Sequence, residues 1–376
     1  MHKILFLSAS LSLTGTHRVM LDLIKGLNRD RYRVFAAYKP ELQGPGNDIL
    51  METEKYTEKV FKLRGKHVFA FPGIIDLNGI LRNNRFDIIH CWDSLSIIAR
   101  ITGKLYGSRV IDSIGNPPVM ESWKNRLAKK ITSLFLDGAV FCSNESLKSH
   151  YLNGANIHKL CTNKVIYNCI DIDEIPEYSQ ELKLSLRKKY GISANDILLT
   201  NLGMYNEQKA QRYLIEALIH VLPSHPETRL FLVGWGKNET LLKNRINDLG
   251  LQNNVVLTGK KLRKEVFEIL SITDIYVSSS LWEGLPLSVL EAMAFRLPVA
   301  ATDVTGNSEA VENNITGFLF PEKDPLSSGN SILKLIDNPG LRLSMGLLGR
   351  EKVEKDFSKK QFISGHESFY DLLTGR

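Results

Sequence analysis

The sequence predicts an α/β protein built from two doubly wound, Rossmann-like halves. Three observations carry that prediction. Short β-rich apolar runs alternate with amphipathic segments along the chain, an order that folds into a parallel sheet covered by helices. A charged stretch between residues 172 and 195, with Pro176 and a helix stop at Gly191, interrupts the alternation. The same alternation then restarts at DILLTNLG (196–203), and 376 residues are enough for two separate cores.

In the first half, ILFLS (4–8) reads as a buried opening strand. The start MHKILFLSASLSL has the basic residue, apolar run and small residues of a secretory leader. The run is short, however, and passes directly into a helix pattern at 16–27, with Met20, Leu23, Ile24 and Leu27 on one face. RVFAAY (33–38), a helix near 74–84, DIIHC (87–91), a helix at 94–106, RVID (109–112), a helix at 121–136, AVFCS (139–143) and KVIYN (164–168) follow. The connection then carries one helix. The second half alternates DILLTNLG, a helix at 210–221, RLFLVG (229–234), a helix at 238–249, NVVLTG (254–259), a helix at 263–272, DIYVSS (274–279), a helix from about 286, LPVAAT (297–302) and GFLF (317–320). Helices at 326–337 and 341–356 follow, and a last helical segment, 357–373, reads as a separate piece.

Composition narrows the function classes. At 43% hydrophobic and 24% charged, the chain is an ordinary globular one. A net charge of +7 suits an anionic ligand or an anionic membrane face. No apolar stretch reaches the length of a membrane-spanning helix. Cys91, Cys142, Cys161 and Cys169 form no C-x-x-C and no metal-site spacing, so they read as reduced, mostly buried thiols of a cytosolic protein. Nothing points to nucleic acid as a partner.

In open α/β sheets ligands bind beyond the carboxyl ends of the strands, so the loops after strands carry the candidates. SASLSLTGTHRV places Gly15 between Thr14 and Thr16 at a helix start, where exposed N–H groups favour a phosphate or simply make an N-cap turn. Lys209, in GMYNEQKAQRYL after the strand ending at Gly203, is either an anion-binding lysine or a solvated one. GWGKNE (234–239) lacks the third glycine of a dinucleotide fingerprint, so Gly234 and Gly236 read as a strand-to-helix turn near a ligand. Asp171-Ile172-Asp173 is a D-x-D of the kind that holds a divalent metal, though such triplets arise often by chance. The helix at 121–136 has Trp123, Leu127, Ile131, Leu134 and Phe135 on one face and Lys124, Arg126, Lys129 and Lys130 on the rest. That pattern fits a helix lying on a membrane surface or one packing on its sheet.

SLWEGLPLSVLEAM (280–293) poses the sharpest question, because Glu283 and Glu291 could be a glycosidic acid and base. Such a pair flanks its bond, which one loop and its own helix do poorly. Pro286 is expected at the first helical position, and the two carboxylates suit accepting hydrogen bonds from hydroxyl groups.

The residues here become familiar as a set. Glu283-x7-Glu291, within S-x-x-E-G-x-P-x-x-x-x-E-A-M-A, is followed by P-V-A-A-T-D, Gly306, Glu309 and Thr316-Gly317. That order resembles the signature of retaining glycosyltransferases of the GT-B fold, family GT4 (glycosyltransferase group 1). VIYNCID (165–171), NLGMYNEQK, FDIIHCWDS and the TGTHRV loop are similar to other landmarks of the family. The resemblance implies an acceptor-binding domain at 1–174, a connection at 175–195, a nucleotide-sugar donor domain at 196–356, and a C-terminal helix, 357–376, packing back on the first domain. It implies that Lys209 neutralises the donor diphosphate, Glu291 binds ribose and Glu283 sits at the donor sugar. Gly203, Gly234, Gly284 and Leu285 line the donor, and Gly15 approaches the diphosphate. It also implies metal-independent hexosyl transfer from a UDP-sugar to a hydroxyl acceptor. That acceptor would be a lipid-linked saccharide of cell-surface polysaccharide synthesis, reached from the cytoplasm with peripheral contact to an anionic membrane.

The chain departs from the family at three places. Met204 stands where an arginine is usual, leaving Arg212 or Arg18 to compensate, and Thr14-Gly15 replaces a pair of glycines. Where many members carry a histidine near the reacting sugar, DSIGNPP (112–118) offers Ser113 or Asn116. These departures keep two alternatives in view, a non-catalytic sugar-nucleotide-binding or assembly protein and a GT-B sugar-nucleotide epimerase.

Overall fold

Apolar runs too short to be helices, and apolar on both faces, end up as central parallel strands in two separate sheets. The computed structural model describes residues 1–12, 14–40, 48–66, 70–92, 95–115, 123–152 and 161–375. The chain divides into two compact units, Met1–Cys169 with Lys359–Arg376, and Ile170–Ser358.

The first unit runs β1 (His2–Leu7), α1 (Gly15–Gly26), β2 (Tyr32–Tyr38), α2 (Asp48–Tyr56), β3 (Lys59–Lys62), α3 (Phe71–Asn84), β4 (Ile88–Cys91), α4 (Ser96–Leu105), β5 (Arg109–Ile114), α5 (Trp123–Thr132), β6 (Gly138–Phe141), α6 (Asn144–Leu152) and β7 (Thr162–Val165). Its sheet has the order β3-β2-β1-β4-β5-β6-β7, with every pairing parallel. The β1 run is fully buried from Ile4 to Leu7, as the strand reading expects. Leu5, Leu7, Ile89, Val110 and Phe141 are part of the core between the sheet and one helix layer.

The second unit runs α7 (Gln180–Lys189), β8 (Ile197–Leu202), α8 (Arg212–Val221), β9 (Thr228–Val233), α9 (Glu239–Asp248), β10 (Val255–Gly259), α10 (Arg263–Ile272), β11 (Ile275–Ser278), α11 (Leu287–Ala294), β12 (Val299–Thr302), α12 (Asn307–Ala310), β13 (Gly317–Phe320), α13 (Pro325–Ile336) and α14 (Pro339–Asp356). Its six strands are all parallel in the order β10-β9-β8-β11-β12-β13. Leu199, Leu232, Val277, Phe320 and Leu335 belong to its core.

The last helix, α15 (Lys359–Thr374), belongs to the first unit. Its Phe369 and Leu373 lie where a Cβ on Gly138 of β6 would be, 2.8 Å away, so that strand start accepts only glycine without displacing them. Arg31 reaches Asp371 at 2.5 Å, and Glu367 accepts the Asn28 N–H at 3.0 Å.

Three expectations need correction. Elements α2, β3, α6 and the short α12 are additions to the sequence reading. The β3 run KVFK has charged, exposed ends and only partly buried centre residues, so its period is that of an edge strand with little apolar signal. Pro286 is the N-cap of α11 and not its first helical residue, with ψ 112° in the extended region. Finally, α5 does not lay its apolar face on the sheet. Ile131 is 64% exposed and Leu134 in the following 3-10 turn 72%, with Leu127 and Phe135 exposed beside them. The side chains of Trp123, Lys124, Arg126 and Lys129 lie outside the described residues.

Candidate functional site

Strand order fixes where a site can form. In the second sheet the chain winds outward from β8 in one direction through β9 and β10, and from β11 in the other through β12 and β13. The loops leaving β8 and β11 therefore part at a topological switch point, the usual ligand crevice of an open α/β sheet. Those are the loops of Lys209 and Glu283.

The two side chains meet. The Lys209 Nζ donates to Glu283 Oε1 at 2.5 Å, and the Ser280 hydroxyl donates to the same oxygen at 2.7 Å. Gln208 Nε2 donates to the Trp282 carbonyl at 3.1 Å, and the Leu281 N–H donates back to the Gln208 carbonyl at 2.7 Å. The Ser279 hydroxyl holds the Lys209 carbonyl at 2.9 Å. Glu283 is buried and Lys209 only partly exposed, so the pair is a shielded one, with the carboxylate satisfied by more than its counter-ion.

The backbone around the pair is set by close approaches. A Cβ on Gly234 would lie 1.9 Å from the Gly203 carbonyl oxygen, so the β9 turn packs directly on the β8 turn. The Tyr205 N–H donates to the Trp235 carbonyl at 2.8 Å, completing that contact. Gly234 thus has the side where a Cβ would stand filled by the chain's own backbone, in the strand-to-helix turn from β9 to α9 that the sequence suggests. Gly306, at φ 87°, would place a Cβ 2.6 Å from the Gly284 carbonyl oxygen, which fixes the loop just after Glu283. Asn307 Nδ2 donates to the Thr302 carbonyl at 3.1 Å and Thr302 donates to the Ser280 carbonyl at 2.6 Å, so the end of β12 braces the same loop. Gly284 and Leu285 are buried in it.

Glu291 lies one turn into α11 and does not join the Lys209–Glu283 pair. Its Oε1 accepts from Arg263 at 3.0 Å, and Arg263 also reaches Glu174 at 3.3 Å and stacks over the Phe267 ring at 4.5 Å. Arg263 opens α10, after the carboxyl end of β10, and drew no attention in the sequence because a lone arginine at a helix start has no motif. Met204 is 43% exposed, with only its carbonyl held, by Gln211 at 3.1 Å. Of the arginines considered as its substitutes, Arg212 stacks on Tyr213 at 4.6 Å and Arg18 pairs with Asp22 of its own helix at 3.3 Å.

In the first unit the candidates fall at the ends of β1 and β5. Thr14 is the N-cap of α1, its hydroxyl accepting the His17 N–H at 3.4 Å, and Gly15 follows as an exposed first helical residue. Ser113 is the penultimate residue of β5, beside the buried Arg100–Asp112 pair at 2.5 Å that anchors the strand to α4. Its hydroxyl is 2.8 Å from Nε2 of His90, a fully buried residue that sequence reading passed over. Asn116 lies outside the described residues. Asp171 and Asp173 flank the start of a 3-10 turn at Ile172–Glu174, and among the described residues no group of three or more His, Cys, Asp or Glu side chains gathers to hold a metal.

Comparison with known proteins adds to this geometry. The chain matches the family described as glycosyl transferases group 1 over residues 183–352. It is 30% identical to an uncharacterized glycosyltransferase of Methanocaldococcus jannaschii, over 94% of this chain and 86% of the other. It is 25% identical to the UDP-Gal:alpha-D-GlcNAc-diphosphoundecaprenol alpha-1,3-galactosyltransferase of Escherichia coli, over 97% and 95%. Among solved structures, Anabaena HepE in complex with UDP-glucose superposes with a TM-score of 0.85 at 22% identity, covering 98% of this chain and 99% of HepE. Sucrose-phosphate synthase of Thermosynechococcus elongatus superposes with a TM-score of 0.85 at 16% identity over the whole of both chains. The architecture they share with this chain is the GT-B fold.

Proposed function

The chain belongs to the glycosyl transferases group 1 family and is a glycosyltransferase, and from that premise we propose that it transfers a hexose, with retention, from a UDP-sugar to a lipid-linked saccharide. The observation that carries this reading is the Lys209–Glu283 pair at the β8–β11 switch point, braced on both sides by backbone. Glu283 holds the Lys209 ammonium in register. A donor diphosphate shares that ammonium, which leaves Glu283 to accept hydrogen bonds from hydroxyl groups of the donor sugar. As the glycosidic bond breaks, charge grows on the leaving diphosphate. Lys209 and the N–H groups near Gly284 and Leu285 at the start of α11 stabilise that growing charge more than the ground state, which is what accelerates the step. Glu291 accepts from the ribose, exchanging Arg263 for it, and Gly203 leaves the diphosphate room. Retention follows from attack on the face that the leaving group departs from, with the diphosphate taking the acceptor proton. No protein nucleophile and no metal is needed. A UDP-sugar donor agrees with two similar proteins, the E. coli UDP-Gal-dependent galactosyltransferase and HepE in complex with UDP-glucose.

The lipid-linked acceptor brings the protein to the cytoplasmic face of a membrane. No helix among the described residues is long and apolar enough to cross one. Contact is then peripheral, and the exposed Leu127, Ile131, Leu134 and Phe135, flanked by the exposed Lys130, supply it.

A thermal-shift screen with UDP, GDP and ADP, followed by sugar conjugates of the best of them, identifies the donor. That donor should then be slowly hydrolysed to its nucleoside diphosphate. Tight binding with no release from any conjugate would instead make this a sugar-nucleotide-binding protein. Activity should survive a chelator, whereas complete loss would restore Asp171 and Asp173 as metal ligands.

A further inference from the structure

A buried hydrogen-bonded chain crosses the first unit from α15 to the end of β5. The Tyr370 hydroxyl lies 2.7 Å from Nδ1 of His90, and Nε2 of His90 lies 2.8 Å from the Ser113 hydroxyl. Tyr370 and His90 are fully buried, and Ser113 is half-buried at the carboxyl end of β5. The direction of this chain follows from counting protons. Tyr370 has one O–H, and within the described residues the only hydrogen-bond partner of that phenol is His90. If His90 donated to Tyr370, the phenol proton would be buried without an acceptor, at the cost of an unmade hydrogen bond. Tyr370 therefore donates to Nδ1. A neutral imidazole then carries its proton on Nε2 and donates it to the Ser113 oxygen.

We propose that Tyr370 and His90 are positioning residues that fix Ser113 as a hydrogen-bond donor, its own O–H turned outward to an acceptor oxygen of a saccharide. This rests on the glycosyl-transfer reading for the identity of the ligand but not for the direction of the chain. The Ser113 hydroxyl makes no other hydrogen bond within the described residues, so its proton is the one group in the chain still to be satisfied. Burial, with His366 nearby, holds the His90 imidazole well below the ordinary histidine range, and burial raises the Tyr370 phenol well above its own. Both groups therefore stay neutral, as the proton count requires. His366 supplies an internal contrast. Its Nδ1 is 2.9 Å from the Phe362 carbonyl, which can only accept, so His366 carries its proton on Nδ1.

Two measurements test the proposal. Histidine-selective 15N NMR, with His90→Gln to assign the signal, should show His90 in the Nε2–H form and His366 in the Nδ1–H form near neutral pH. An Nδ1–H form for His90 overturns the proposal whether or not the chain transfers sugar. In steady-state kinetics with donor and acceptor varied in turn, Ser113→Ala should lower kcat/KM about tenfold for one saccharide, and Ser113→Thr should restore most of it. Tyr370→Phe should lower kcat/KM less, and the Ser113→Ala/Tyr370→Phe double variant should match Ser113→Ala alone. Additive losses, or an unaffected Ser113→Ala, overturn the proposal. If no sugar nucleotide is turned over by the unaltered protein, the glycosyl-transfer reading fails and the tautomer alone decides the direction of the chain.

Discussion

Lys209 carries two burdens at once. It is the cation assigned to the donor diphosphate, and it is also the counter-ion of Glu283, whose side chain is only 7% exposed. Lys209→Ala should therefore lower turnover more than tenfold and also destabilise the second unit, by roughly 3–5 kcal/mol, since a buried carboxylate is left without its counter-ion. Adding Glu283→Gln should recover most of the lost stability and none of the turnover. Urea denaturation beside initial-rate assays separates the two effects, and a Lys209→Ala variant with unchanged rates would remove Lys209 from the chemistry. The pairing was only half legible in the sequence. The loop positions of both residues were readable, and the strand alternation implied a switch point. Their separation of 74 positions gives no sign that they touch. The Tyr370–His90–Ser113 chain was less legible still, because His90 reads as one residue of an apolar strand and Tyr370 lies 280 positions away.

At the scale of elements, the loops of the second unit are held by backbone laid on backbone, and glycine is the residue that permits it. Gly306→Ala would place a methyl against the Gly284 carbonyl and force an unfavourable positive φ. The expected loss is about 1–3 kcal/mol, with weaker nucleotide binding than stability alone explains. Calorimetry with titration of UDP checks it, and a variant as stable and as tight-binding as the parent would show that the 283–285 loop does not depend on this support. The long strands and helices of this unit were readable because their periods of two and 3.6 are sustained. The weak elements were not. Edge strand β3 carries lysines at both ends, and α6 begins directly after a strand with polar residues. The exposed face of α5 was readable as a pattern but not as a fate, because an apolar stripe looks the same whether a sheet or a lipid covers it. Leu134→Asp combined with Ile131→Asp should leave the fold intact and reduce sedimentation with anionic vesicles several-fold. Binding unchanged by the pair would remove this face from membrane contact.

For the molecule as a whole, the first unit should be the acid-sensitive one. Burial lowers the His366 pKa to about 4, whereas in the unfolded chain it lies near its ordinary value of 6.5. Above pH 6.5 neither state binds the proton and nothing is gained or lost. As pH falls from about 6.5 towards 4 the unfolded chain takes up a proton that the folded one refuses, so stability declines, by up to about 3 kcal/mol for this residue. His90, also shifted downward, adds to the decline. His366→Phe should flatten the profile between those values, which thermal melts from pH 4 to 7 would reveal. A slope identical to the parent's would assign the acid sensitivity elsewhere. The placement of α15 has a further consequence, in time instead of space. The sheet of the first unit is synthesised by residue 165, yet the helix that covers Gly138 and bonds His90 comes only after the second unit. At about 5–20 residues per second, the ribosome needs roughly 10–40 s to pass from the end of β7 to the end of α15. During that interval the half made first waits with an uncovered sheet face, and the half made second is free to complete its core before it.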